Sequence, residues 1–168
     1  MKKVFYIITL SAFVLFFACG RYEDGPEFSL RSVKNRITGS WKVDKFYIDG
    51  IDSTDEFNSK LGCKIDFNLE SFNGADHIWK CILNNCNNNS IFQGDWWFYD
   101  NKIKMIHTYF IDDSTFISAI GPFGKGRSTK WTILRLTNKE FNLTTDNWHD
   151  IAGIAASSSV YLLNLKKQ

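Results

Sequence analysis

The chain has 168 residues, of which 16% are aromatic and two are proline, and a formal charge of +2. That length holds one folded domain with a substantial core, and the aromatic content excludes a disordered polar chain. Lys2 and Lys3 supply the whole charge excess, so from residue 19 onward the chain is formally neutral; net charge gives no pull toward nucleic acid or an acidic membrane face.

The opening residues, MKKVFYIITLSAFVLFFA, join a short basic start to an uncharged apolar run over 4–18. That run is shorter than the roughly 20 residues a spanning helix needs, and the pattern predicts a secretory signal peptide over 1–18. Cys19 follows directly, and with Leu15 and Ala18 before it the junction resembles a bacterial lipobox. The resemblance implies acylation of Cys19 by palmitate-class chains and a place in the cell envelope as an outer-membrane lipoprotein. Two or three acyl chains, at about 0.8 kcal/mol per buried CH2, hold a protein stably on a bilayer without spanning it. An ordinary signal peptide with a chance cysteine is the alternative.

Residues 19–36 are polar, contain Gly and Pro and lack periodicity, which predicts a lipidated anchor and flexible tether. Glu23-Asp24 resembles the acidic pair that directs some Bacteroidetes lipoproteins to the outer cell surface; plain linker polarity explains it equally well. The folded domain is then expected over 37–168.

Within it, short runs rich in β-branched and aromatic residues recur at 40–49, 62–70, 77–83, 91–99, 102–111, 129–137, 140–146 and 158–166, with a weaker run at 115–120. Asn-Gly, Asp-Asn and Asn-Lys separators have tight-hairpin chemistry, since Asn and Gly tolerate positive φ. Only 52–62 reads as helical. The pattern predicts an all-β domain, an antiparallel meander closed as a barrel or folded as a sandwich, with one short helix. Alternation places Ile103, Met105, His107 and Tyr109 on one face of their strand, and likewise Phe141 with Leu143, and Tyr161 with Leu163 and Leu165.

Cys63, Cys81 and Cys86 remain once Cys19 is set aside. An exported domain allows disulfides. Cys63 with Cys81, across a hairpin, and Cys81 with Cys86, closing a loop, are both open, and one structural disulfide is expected. No metal site is predicted, because the Cys81–Cys86 pair has no second His or Cys couple at ligand spacing.

Gly39-Ser40-Trp41, at the head of the first strand, resembles the Gly-x-Trp signature of lipocalins. "WTILRLTNKEFNL" (131–143) and the stretch over 25–52 resemble lipocalin-like lipoproteins of Bacteroidetes, a calycin-like family. The resemblance covers 25–52 and 129–166, the middle matching in strand rhythm only. It implies an eight-stranded antiparallel up-and-down barrel, closed at one end by the tryptophan with a basic residue over the indole. The matching position for that residue is Arg135. Such a barrel has room for side chains or one small ligand.

Catalytic chemistry finds no support. His77, His107 and His149 stand at wide spacings outside any metal motif. "GPFGKGRS" (121–128) is too short between its glycines for a phosphate loop and lacks the following helix. No nucleophile elbow or carboxylate pair is present, so no enzyme activity and no cofactor are expected. The leading expectation is non-catalytic binding of a small apolar ligand, for transport, sequestration or sensing, walled by Trp97, Met105, His107, Tyr109 and Phe141 at the end opposite Trp41. The alternative is an envelope interaction module with a filled barrel that binds a protein or glycan through loops or outer aromatics.

Overall fold

The computed structural model describes residues 32–72, 75–84, 91–99, 104–109, 120–123, 127–146, 148–150 and 158–168, without the side chains at 71–78, 91, 92, 106–109, 127 and 148–150. Ten strands fall in this set: β1 Gly39–Ile48, β2 Ile51–Asp52, β3 Lys64–Phe72, β4 Ala75–Asn84, β5 Ile91–Tyr99, β6 Lys104–Tyr109, β7 Arg127–Leu136, β8 Glu140–Thr145, β9 Trp148–Asp150 and β10 Tyr161–Lys167. Two short helices join them, α1 Val33–Ile37 and α2 Thr54–Lys60.

Eight of the strands close into an antiparallel barrel in the order β1, β3, β4, β5, β6, β7, β8, β10, with β10 paired back to β1. Closure removes the exposed edges that would otherwise template aggregation. The short β2 lengthens the wall beside β1, and β9 pairs with β7. The strands expected from alternation and hairpin chemistry are therefore present within a few residues. The weaker run at 115–120 falls outside the described residues except for Ile120.

Two bulges set which side chains face inward. On β1 the register with β10 shifts between Val43 and Lys45, so Trp41, Val43 and Phe46 all point into the barrel although they break strict alternation. On β7 the shift lies between Ile133 and Arg135, which turns Trp131, Ile133 and Leu136 inward and leaves Arg135 on the outer side. One extra residue inverts the side-chain phase of everything after it. β8 and β10 alternate cleanly, burying Phe141 and Leu143, and Tyr161, Leu163 and Leu165.

The packed domain begins earlier than expected. Val33, Arg36 and Ile37 of α1 are buried, with Ser32 as the side-chain cap that accepts from the Asn35 N–H. Five residues are too few to show a helical period, which is why this segment reads as tether in sequence.

Candidate functional site

Among the described residues, buried aromatic side chains pack at both ends of the barrel. At the Gly39 end, Trp41 is fully buried and its Nε1 donates to the Ile37 carbonyl at 2.6 Å. Its ring packs on Phe141, centroids 5.5 Å apart. Arg36 reaches from α1 to donate to the Leu136 carbonyl at 2.7 Å. The cation over the indole is Lys167, with Nζ 4.4 Å from the ring centroid; it also donates to the Thr38 carbonyl. Arg135, expected in that place, instead meets Glu140 across the β7–β8 turn at 2.5 Å. The β7 bulge is the reason, because it points Arg135 away from the interior.

Gly39 has a specific task here. Its φ is +116°, and a Cβ at this position would lie 2.8 Å from Lys167 Nζ. Only glycine combines that backbone with an open path for the amine.

At the opposite end the expected mouth is occupied. Phe57 from α2 is fully buried against Phe46 and Phe123, with centroids 4.8 and 4.9 Å away. Phe123 is delivered by the Ile120–Phe123 turn, which Thr129 holds by donating to the Pro122 carbonyl at 3.0 Å. Gly121 lies against the Tyr161 ring so closely that a Cβ would be 2.2 Å from it. The glycine-rich loop thus serves as a plug carrier, in line with its failure as a phosphate loop. Neither Phe57 nor Phe123 was legible as a plug, since both sit in segments without strand periodicity.

Among the described residues a void of about 10 Å³ lies between the two ends, lined by Ile65, Phe67, Cys81, Met105, Phe123, Trp131, Leu143 and Leu163. That is space for one water at most, and the lining is apolar. Of the residues expected to wall a ligand cavity, Met105 does face this void and is buried. Phe141 is buried as well, but in the Trp41 floor. Trp97 does not join them: Met105 stands opposite Phe98, so Trp97 lies on the outer face, half-buried. Residues directly opposite across a ladder share a face. His107 and Tyr109 lie in β6 opposite Trp96 and Gly94, and their side chains are outside the described residues.

Cys63 is disulfide-bonded, and its partner lies outside the described residues. Cys81 is a free, buried thiol facing the void, which removes it from the disulfide candidates. Burial pushes its thiol pKa far up, with the nearby Asp95 adding to the shift. Cys19 and Cys86 lie outside the described residues.

Two polar surface grooves lie among the described residues. One, of about 260 Å³, is lined by Lys45, Asp52, Ser53, Thr54, Asp55 and Glu56. The Lys45 ammonium and the Thr54 donors hold the Asp52 carboxyl down at about 2. The other, of about 210 Å³, is lined by Thr132, Thr144, Thr145, Asp146 and Val160. No group of three or more His, Cys, Asp or Glu that could hold a metal occurs among the described residues. In the first groove the Thr54 hydroxyl donates to Asp52 at 2.5 Å, and Asp52 also accepts from Lys45 at 2.6 Å. Compared with family models and with curated proteins, the chain finds no match.

Proposed function

We propose that this chain is a non-catalytic recognition module of the cell envelope, anchored through an acylated Cys19, that acts through its outer surface. The observation that carries the reading is the interior as far as the described residues line it: a void of about 10 Å³ between two aromatic clusters. A small-molecule site encloses about 300–1,000 Å³, so a carrier role would require Phe57 and Phe123 to leave the core.

The recognition surface is the α2 end. Ile51 is 71% exposed at the β1–β2 turn, and Val160 is 49% exposed beside it, where the Asp49 N–H donates to the Val160 carbonyl at 2.8 Å. Asp49 accepts from the Val160 N–H at 2.7 Å, Asp52 follows Ile51, and Asp55 and Glu56 lie on α2 nearby with Lys45 and Lys60 paired to Asp52 and Glu56. An apolar centre in a charged rim is the usual anatomy of a protein contact, and it favours a partner with basic groups around an apolar patch. The test is titration with a fluorescent fatty acid. The reading predicts no saturable one-to-one binding; saturable binding that a natural lipid displaces would restore the carrier role.

A further inference from the structure

Although the chain is neutral beyond its leader, its charge is segregated along the barrel axis. Lys42, Lys64 and Lys166 lie directly opposite one another on three adjacent strands, Lys42 pairing in register with both of the others. Like charges in that relation destabilise a sheet. Asp44 compensates Lys166 at 3.1 Å and Asp66 compensates Lys64 at 3.5 Å, yet Lys42, exposed at the centre of the row, meets no carboxylate within ion-pair distance among the described residues. Lys42 and Lys166 stand in the Gly39 halves of β1 and β10, while Lys64 opens β3 beside them. The same end carries Lys34, whose Nζ lies 4.6 Å from the Trp79 ring centroid, and Lys139, exposed in the β7–β8 turn. The α2 end, by contrast, holds Asp49, Asp52, Asp55 and Glu56 against two lysines, Lys45 and Lys60, which pair with Asp52 and Glu56.

The N-terminal chain leaves from the basic end. α1 meets the Trp41 closure through Ile37 and is capped by Ser32, so the twelve residues of 20–31 connect that end to Cys19 in sequence. Twelve residues reach at most about 40 Å even when fully extended, which bounds the distance between the basic end and any bilayer that holds the anchor. Salt at physiological strength screens beyond about 8 Å, so the attraction acts once the end touches the surface, and tethering makes that contact intramolecular.

We propose that the Gly39 end, with Lys42, Lys139 and Lys166 foremost, docks on the anionic headgroups of the bilayer that holds the anchor, and so presents the α2 end away from the membrane. This rests on the acylated Cys19 of the proposed function.

The test is amine-reactive footprinting of the full acylated chain in vesicles of phosphatidylcholine, with and without phosphatidylglycerol. In anionic vesicles the labelling of Lys42, Lys139 and Lys166 should fall about threefold or more and recover with added salt, while Lys60 at the α2 end is unchanged. Equal labelling in both vesicle types would overturn the proposal, as would protection of Lys60 instead. Protection already complete in neutral vesicles would also overturn it, by placing the tether's own Glu23, Asp24 and Glu27 on this face. Intact mass reads Cys19 separately: an unacylated chain removes the anchor and the proposal with it. An acylated chain with unprotected lysines removes the basic-face docking alone.

Discussion

Lys167 lies over Trp41, its ammonium 4.4 Å from the indole centroid, and Gly39 leaves the space through which it arrives. The last strand thereby seals the barrel opened by the first. A cation over a partly desolvated indole is worth about 1–2 kcal/mol. Lys167→Met should lower Tm by roughly 3–8 °C in thermal unfolding. Arg135→Ala, which loses a half-exposed pair with Glu140, should cost about 0.2–1 kcal/mol from that pair. The reverse order of these two variants would return the closing role to Arg135.

Gly39→Ala should be as damaging as the loss of the lysine. The new methyl meets Lys167 Nζ, and a φ of +116° strains any side-chain-bearing residue. A cost of about 1–3 kcal/mol is expected from the backbone, read by urea unfolding. In the double variant with Lys167→Met the two costs should be less than additive, because the methyl then has no amine to displace.

Phe57→Ala should open the interior at the α2 end. The truncation costs about 3–5 kcal/mol and leaves an apolar cavity beside Phe46 and Phe123. Xenon or benzene should bind to the variant and raise its Tm, with no effect on the natural chain. Equal binding to both would mean that the barrel already has room.

Iodoacetamide should leave Cys81 unmodified in the native protein at pH 8 and modify it once the chain is unfolded in urea. Burial holds the thiol neutral and out of reach. Peptide mass mapping without reductant should find Cys63 in a disulfide under both conditions.

Two carboxylates should respond to pH with opposite sign. Burial raises the Asp95 carboxyl, with Lys80 opposing. The folded chain therefore binds that proton more tightly than the unfolded one, and stability from this site falls as pH rises above about 3.9. Asp95→Asn should raise Tm at neutral pH, with the gain shrinking toward pH 4. Asp52 is held down to about 2 by Lys45 first and then Thr54. Its contribution is complete above about pH 4 and lost as pH falls through the folded value, so the acid arm of a Tm–pH curve should flatten in Asp52→Asn.

The wall of the barrel was legible because hairpin chemistry and period-two burial are local signals. Tyr161, Leu163, Leu165, Phe141 and Leu143 all face where alternation puts them. The site was less legible, and for physical reasons. Bulges at Asp44 and near Arg135 invert the phase in mid-strand, and nothing in the local composition marks them. The run Trp96, Trp97, Phe98 is apolar on both faces, so only the register with Met105 assigns Trp97 to the outside. Phe57 and Phe123 enter the core from a short helix and a turn, where no period exists to announce them. Charge segregation is equally invisible in sequence: Lys42, Lys64 and Lys166 are far apart along the chain and meet only through strand pairing.

The central claim, a filled barrel that recognises its partner from outside, is tested most directly by native mass spectrometry of the protein purified from its own envelope. The account predicts one mass, that of the chain beginning at an acylated Cys19, with no additional non-covalent component. A stoichiometric apolar molecule that dissociates on collisional activation would contradict it.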